Sequence, residues 1–249
     1  MNVDGGLRRG FFLTLEGPEG SGKSTQARRL ADRLTALGYD CMVTREPGGT
    51  ALGEAVRQIL LRSPELSPVP AADALLFNAA RAQLAAEVIE PALARGDIVI
   101  CDRFGDSTLA YQGYGAGQPL ESLRSLQEFA AGGLRPDMTV LIDLPPEVGL
   151  ARKQADEVTR FEERADLDFH RRVRDGFLAL AAAEPERFAL VDGRLTADAI
   201  EESIFDTLRK RLVPVGGSGQ LSGRTIAAAS GNSSAHSSEP EPGPLRMER

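Results

Sequence analysis

Short apolar runs alternate along this chain with longer stretches in which apolar residues recur every three or four positions. Phe11 to Glu16 is mainly apolar and is stopped by Gly17, which predicts a buried strand. From about Lys23 to Leu37, the residues Ala27, Leu30, Leu34 and Leu37 share one helical face, and Gly38 follows where a helix closes on a left-handed residue. Asp40 to Thr44 predicts a second strand. Arg45-Glu46-Pro47-Gly48-Gly49 is a loop, because Pro-Gly-Gly continues neither element. A helix from Leu52 to Leu61 leads into the proline-punctuated stretch Pro64 to Pro70, and a long Ala/Leu helix runs from about Ala71 towards Ala94 with a bend near Pro91. Asp97 to Asp102 is again strand-like. Pro119 to Ala130, Met138 to Leu144, Pro146 onward, Asp166 to Ala182, Phe188 to Val191 and Thr196 to Arg211 continue the alternation. Such alternation predicts an α/β fold, a parallel sheet with helices on both faces.

The two ends differ from this. From about Val213, Gly, Ser, Ala and Pro dominate and apolar residues are too sparse to offset ordering entropy, so 213–249 is expected to be a disordered tail. Met1 to Gly10 has charge but no apolar segment and is expected to be an N-terminal extension, not a signal peptide. One domain, residues 11–212, remains. No apolar run reaches membrane-spanning length, so no membrane partner is expected.

The 249 residues carry a net charge of −7, which argues against a nucleic-acid partner. A small anionic ligand stays open, because a pocket can be locally positive on an acidic protein. Of 29 basic residues only Lys23, Lys153 and Lys210 are lysine. Genomic base composition is the plainer source of that bias, though planar guanidinium groups suit phosphate well. Cys41 and Cys101 make neither a zinc spacing nor a disulfide framework, so a cytoplasmic location is expected.

The strongest local signal is Gly17-Pro18-Glu19-Gly20-Ser21-Gly22-Lys23-Ser24, followed by Thr25. It fits G-x-x-x-x-G-K-[ST] at every fixed position and lies between a strand and a helix, as the motif requires. The glycines let successive N–H groups turn inward around phosphate oxygens, and the helix N-terminus adds positive potential. Lys23 is placed to reach β- and γ-phosphates, and Ser24 to ligate Mg²⁺. Such a loop implies a nucleoside triphosphate without naming the reaction: GTPase, motor, ATPase and kinase remain. Asn occurs only at Asn2, Asn78 and Asn232, and none begins an N-K-x-D guanine-reading motif. Asp102 ends its strand as a Walker-B acid does, facing the ligand crevice and orienting Mg²⁺.

Three further segments narrow the choice. Thr44-Arg45-Glu46-Pro47-Gly48-Gly49-Thr50, then Leu76-Phe77 with Arg81, and Asp102-Arg103-Phe104 with Ser107-Thr108-Leu109-Ala110-Tyr111-Gln112-Gly113 resemble the thymidylate kinase family, in order and spacing, from about Phe11 to Leu212. The resemblance implies the P-loop nucleoside monophosphate kinase fold, with a five-stranded parallel sheet and a short lid. It also implies Mg²⁺ with ATP as donor, thymidine 5′-monophosphate (dTMP) as acceptor in dTTP synthesis, and a homodimer.

Phe77 and Arg81 lie at i and i+4, on one helix face. A ring beside a guanidinium suits stacking on a pyrimidine with donation to a ring carbonyl, which the resemblance assigns as thymine O4. The alternative is that Phe77 is core, whereas a buried unpaired Arg81 would be costly. Arg103 is a candidate bridge between donor and acceptor phosphates, and Arg45 a second clamp on the monophosphate. Glu19, inside the phosphate loop, needs a partner of its own; the resemblance implies the sugar 3′-OH or Mg²⁺. By resemblance the Tyr111 ring crowds the sugar C2′. Ser107, Thr108 and Gln112 are candidates to read the base edge, the alternative being hydrogen bonds within their own loop.

Arg152, Lys153, Arg160 and Arg164 lie among five acidic residues between Asp156 and Asp166. A solvated helix with i,i+4 pairs is one reading. A lid that brings an arginine onto the transferring phosphoryl is the other. Relatives of one layout carry an arginine inside the phosphate loop, where this chain has Gly20. The chain resembles the bacterial layout with lid arginines. Its segment Gln154 to Thr159 contains no basic residue; Arg160 is the best match for the catalytic arginine and Arg152 a candidate on ATP. Two rivals stay open: another deoxynucleotide or deoxynucleoside kinase, and a binding module that holds ATP without transferring phosphoryl.

Overall fold

The computed structural model describes residues 10–63, 65–66, 68–152 and 166–212. The expectations for the tail, for the first nine residues and for Lys153, Arg160 and Arg164 lie outside the described residues.

Five strands form one parallel sheet: β1 (Phe11–Glu16), β2 (Cys41–Arg45), β3 (Ile98–Asp102), β4 (Met138–Asp143) and β5 (Phe188–Asp192), in the order β2-β3-β1-β4-β5. Register is continuous through the centre, with Leu13 opposite Ile100 on β3 and opposite Met138 on β4. Side chains alternate across the sheet. Leu13, Leu15, Ile100, Val140 and Ile142 pack under α1 (Lys23–Ala36) and α9 (Ala197–Leu212). Phe12, Val99 and Cys101 point the other way, against Leu84, Ile89 and Leu93. Those last residues belong to α3 (Pro70–Leu84), a wider π turn (Ala85–Ile89) and α4 (Glu90–Arg95). Leu141 meets Leu123 of α6 (Leu120–Ala130) and Phe177 of α8 (Leu167–Ala183) on that same face. Because both faces are covered, the central strands read as apolar runs instead of alternating apolar and polar.

Most predicted boundaries hold within one residue. Thr50 caps α2 (Ala51–Arg57) by accepting the Gly53 N–H at 2.9 Å, and Asp166 caps α8 by accepting that of Phe169 at 2.7 Å. The bend expected near Pro91 is present, and two other regions differ from the sequence reading. The helix read from Leu52 to Leu61 passes into a π turn at Gln58–Arg62, and Gly105 to Gly115 is helical. The single long helix is interrupted at Ala85–Ile89, just before Pro91, whose ring offers no N–H to the preceding turn and crowds its carbonyls. Gly105 to Gly115, assigned no helix from the sequence, forms α5 (Gly105–Thr108), which continues as a π turn (Leu109–Gly115). Its glycines hide it from propensity, yet they let α8 come close. A Cβ on Gly115 would sit 2.7 Å from the Phe169 ring. The remaining helix, α7 (Pro146–Arg152), follows β4. Among the described residues no helix is long and apolar enough to cross a membrane.

Candidate active site

The phosphate loop joins β1 to α1 at the carboxyl edge of the sheet, where ligands of doubly wound folds bind. Gly17, Gly20 and Gly22 take φ of 143°, 68° and 91°, conformations that side chains rarely adopt. Lys23 is buried, and its ammonium donates to Gly17 O at 3.1 Å, Pro18 O at 2.8 Å and Ser21 Oγ at 3.2 Å. Burial, with the nearby Arg103 second, pulls its pKa down to about 8. Gly20 has a second constraint. A Cβ there would lie 2.1 Å from Gly149 O on α7, and a Cβ on Gly149 would lie 2.0 Å from Glu19 O. The loop therefore has no room for a side-chain cation at position 20.

The Ser24 hydroxyl donates to Asp102 Oδ2, which joins the start of α1 to the end of β3. Both are hard oxygen donors of the kind Mg²⁺ takes. Among the described residues no group of three or more His, Cys, Asp or Glu forms a metal site by itself. The pair thus suits an ion whose remaining ligands are phosphate oxygens and water.

Arg103 is the node of the site. It has a φ of 71°, the left-handed region, at a residue that is not glycine; such positions cost about 1–3 kcal/mol and persist where the surroundings over-determine them. Its guanidinium donates to Gly17 O at 3.1 Å, Ser107 Oγ at 3.1 Å, Glu19 Oε1 at 2.8 Å and Tyr111 Oη at 3.2 Å. Burial works to lower its pKa, but Tyr111, Glu19, Asp102 and Glu16 outweigh that and raise it. Glu19 therefore finds partners within the protein, Arg103 and the Tyr111 hydroxyl at 2.9 Å. The Tyr111 ring packs edge-on against Phe177, 6.1 Å between centroids.

Around these groups lies a cleft of about 500 Å³, the size of a small-molecule site. Seven basic side chains line it (Lys23, Arg28, Arg57, Arg62, Arg81, Arg103 and Arg152) against two acidic ones, Glu19 and Glu46. On a chain with net charge −7 the cleft is thus locally positive. Gly20, Gly22, Ser24, Thr25, Phe77, Ser107, Thr108, Tyr111 and Gln112 also line it, so both halves of the predicted site share one opening. Arg152 reaches it from the end of α7, its guanidinium donating to Gly193 O at 3.0 Å.

Several expectations change in detail. Arg81 is 1% exposed and donates two hydrogen bonds to Glu46 Oε2, from Nε at 3.0 Å and from Nη2 at 2.7 Å. It also donates to Asn78 Oδ1, Phe104 O and Thr108 Oγ1. The partner that its burial demanded is Glu46. Ser107 donates to Glu16 Oε2 at 2.6 Å while accepting from Arg103, and Thr108 accepts from Arg81, so both hydroxyls are held inside the protein. Phe77 is half-buried; one side packs with Val56, Leu60 and Ala80 while it also lines the cleft. Arg45 does not line the cleft. It ends the edge strand β2 and pairs at the surface with Glu54 at 2.8 Å, which also accepts the Gly49 N–H at 3.0 Å. Arg57, which sequence reasoning missed, takes a cleft position instead, donating to Pro47 O at 2.8 Å. Its place on α2 three residues after Glu54 was legible, but nothing in the sequence says which face of that short helix looks inward. Glu16 and Glu46 were also missed, each a carboxylate whose partners lie far along the chain.

A family model described as "Thymidylate kinase" matches residues 15–204. A thymidylate kinase of Synechococcus sp. (strain JA-3-3Ab) is 52% identical over 203 residues, which is 82% of this chain and 97% of that protein. One from Deinococcus radiodurans is 50% identical over 205 residues, 82% of this chain and 99% of its own. The crystal structure of thymidylate kinase from Ehrlichia chaffeensis aligns with a TM-score of 0.66 at 33% identity, covering 80% of this chain and 98% of that one. With its phosphate loop and its Asp102-Arg103 strand end opening on one basic cleft, this chain belongs to the thymidylate kinase family.

Proposed function

We propose that this chain transfers the γ-phosphoryl group of ATP directly to the phosphate of thymidine 5′-monophosphate, giving the diphosphate and ADP. The observation that carries this reading is the single cleft. A triphosphate-binding loop and a half-apolar pocket, with Phe77 on one wall and Arg57 and Arg81 beside it, share one opening across Arg103. Both substrates are anionic, and the cleft inverts the sign of the whole chain.

A phosphate oxygen is already a competent nucleophile, so no general base is required. Catalysis is positioning and charge neutralisation. The loop N–H groups and Lys23 hold the donor phosphates; Lys23 gives up its bonds to the loop carbonyls for phosphate oxygens. Arg103, 2.8 Å from Glu19 and 3.1 Å from Gly17 O, stands where donor and acceptor phosphates meet. Ser24 and Asp102 would hold Mg²⁺, which would supply further neutralisation of phosphate charge. Phe77 stacks on the base, and Tyr111 bounds the sugar. With position 20 closed to a side chain, the last cation on the γ-phosphoryl comes from the lid, where Arg160 is assigned on sequence grounds.

A homodimer is part of this proposal. Leu75 is 57% exposed on α3 and Phe129 87% exposed on α6, a helix packed beside it, and Ala71 and Ala79 extend the apolar face. Two free cysteines, Cys41 and Cys101, accord with a cytoplasmic location. The test is a coupled assay offering thymidylate, deoxyuridylate, deoxycytidylate and thymidine with ATP. Thymidylate is expected to give the highest kcat/KM; preference for the unphosphorylated nucleoside, or transfer to none, contradicts the proposal.

A further inference from the structure

Glu16 ends β1, is fully buried, and does not line the cleft. Its two carboxylate oxygens nevertheless both meet the segment that carries Arg103. Oε1 accepts the Phe104 N–H at 2.7 Å, and Oε2 accepts the Ser107 hydroxyl at 2.6 Å. The Ser107 oxygen in turn accepts from Arg103 Nη1 at 3.1 Å. One carboxyl group thus reaches Arg103 by two routes, one through the backbone and one through the side chain. The left-handed φ of 71° lies between two N–H groups that the end of β1 holds. Arg103 N–H donates to Leu15 O at 2.9 Å, and the next N–H donates to Glu16.

We propose that Glu16 is a positioning residue for phosphoryl transfer: by holding Phe104 N–H and Ser107 it sets where the Arg103 guanidinium stands beside the phosphate loop. This rests on the reading of Arg103 as a phosphate clamp and deepens it. A group displaced by about 1 Å in a pre-organised site costs about a hundredfold in rate. Filling space does not call for a carboxyl here, since an apolar side chain of the same length avoids the desolvation. Glu16 stands there although burial, and then the buried Asp106, work against its charged form.

The test is a kinetic double-mutant cycle on the full chain. Glu16→Met keeps the shape and removes both hydrogen bonds; Glu16→Gln keeps an acceptor for Phe104 and a polar contact to Ser107. Glu16→Met is expected to lower kcat about a hundredfold and to move the KM for ATP less than about threefold. Glu16→Gln is expected to restore most of the loss. In an Arg103→Ala background Glu16→Met should change kcat less than about threefold, because the group it positions is gone. Equal losses with and without Arg103, or wild-type turnover in Glu16→Met, overturn the positioning role. Near-wild-type turnover in Arg103→Ala is a separate failure: it overturns the clamp reading and takes the role of Glu16 with it. If Glu16→Met does not fold, Ser107→Ala cuts only the hydroxyl route and goes through the same cycle. Non-additivity with Arg103→Ala is again expected, and additivity overturns the proposal.

Discussion

Gly20 and Gly149 meet backbone to backbone, so that a Cβ added to Gly20 would stand 2.1 Å from the Gly149 carbonyl oxygen. The phosphate loop is thereby pressed against α7. Neither glycine is replaceable without moving main chain, because the opposing atoms are backbone and cannot rotate away. Gly149→Ala is expected to destabilise the chain by about 1–3 kcal/mol, the usual cost of overpacking. It should also raise the KM for ATP, since relief comes from shifting Glu19 and the loop behind it. Thermal melts and Michaelis constants check both effects. An unchanged melting temperature would mean that the two segments are not in contact.

Arg81 and Glu46 form a buried ion pair with side-chain exposures of 1% and 4%. Removing one partner strands the other charge. Glu46→Gln should therefore cost about 3–5 kcal/mol in denaturant unfolding. It should also weaken thymidylate binding more than ATP binding, because Arg81 lines the acceptor half of the cleft. A loss below about 1 kcal/mol would show that water reaches the pair.

That pair shows what the sequence disclosed and what it did not. Phe77 and Arg81 were legible as one helix face because helical spacing is local. Their partners were not, since Glu46 is 35 positions from Arg81 and only the sheet brings them together. The strands and the phosphate loop were legible because each is a contiguous pattern with its own punctuation. The α5 segment was not: Gly105, Gly113 and Gly115 argue locally against a helix, and tertiary burial under α6 and α8 overrides them. Where Arg45 points was not legible for a related reason. Its motif was clear, but strand alternation at a sheet edge decided that it meets Glu54 at the surface.

Burial, then the nearby Asp106, raise the Glu16 pKa to about 8, with Arg103, Ser107 and the Phe104 N–H pulling it down. The sign follows from proton uptake. Between an unfolded value near 4.5 and a folded value near 8, the folded chain holds a proton that the unfolded chain lacks. This group's contribution is fully present below about pH 4.5 and is lost as pH rises through about 8. Glu16→Gln cannot titrate and should flatten that part of the profile. Melts of both proteins from pH 5 to pH 9 give the comparison, and parallel profiles would contradict it.

On the proposed reading, with position 20 closed to a side chain, the last cation on the γ-phosphoryl is Arg160. Arg160→Ala should lower kcat by about three decades, the low end for arginine fingers. The KM for ATP should move little, because the contact is made mainly in the transition state. Arg152→Ala and Lys153→Ala should each cost less. A larger loss in Arg152→Ala would transfer the role to the residue already at the cleft.

The central claim is that donor and acceptor bind together in one cleft and react directly. Adenosine and thymidine joined 5′ to 5′ through a pentaphosphate would span both halves at once. Inhibition by this compound should be competitive against ATP and also against thymidylate, and Phe77→Ala should weaken it while leaving the KM for ATP unchanged. Competition against only one substrate, or an inhibition constant indifferent to Phe77, would contradict the shared cleft.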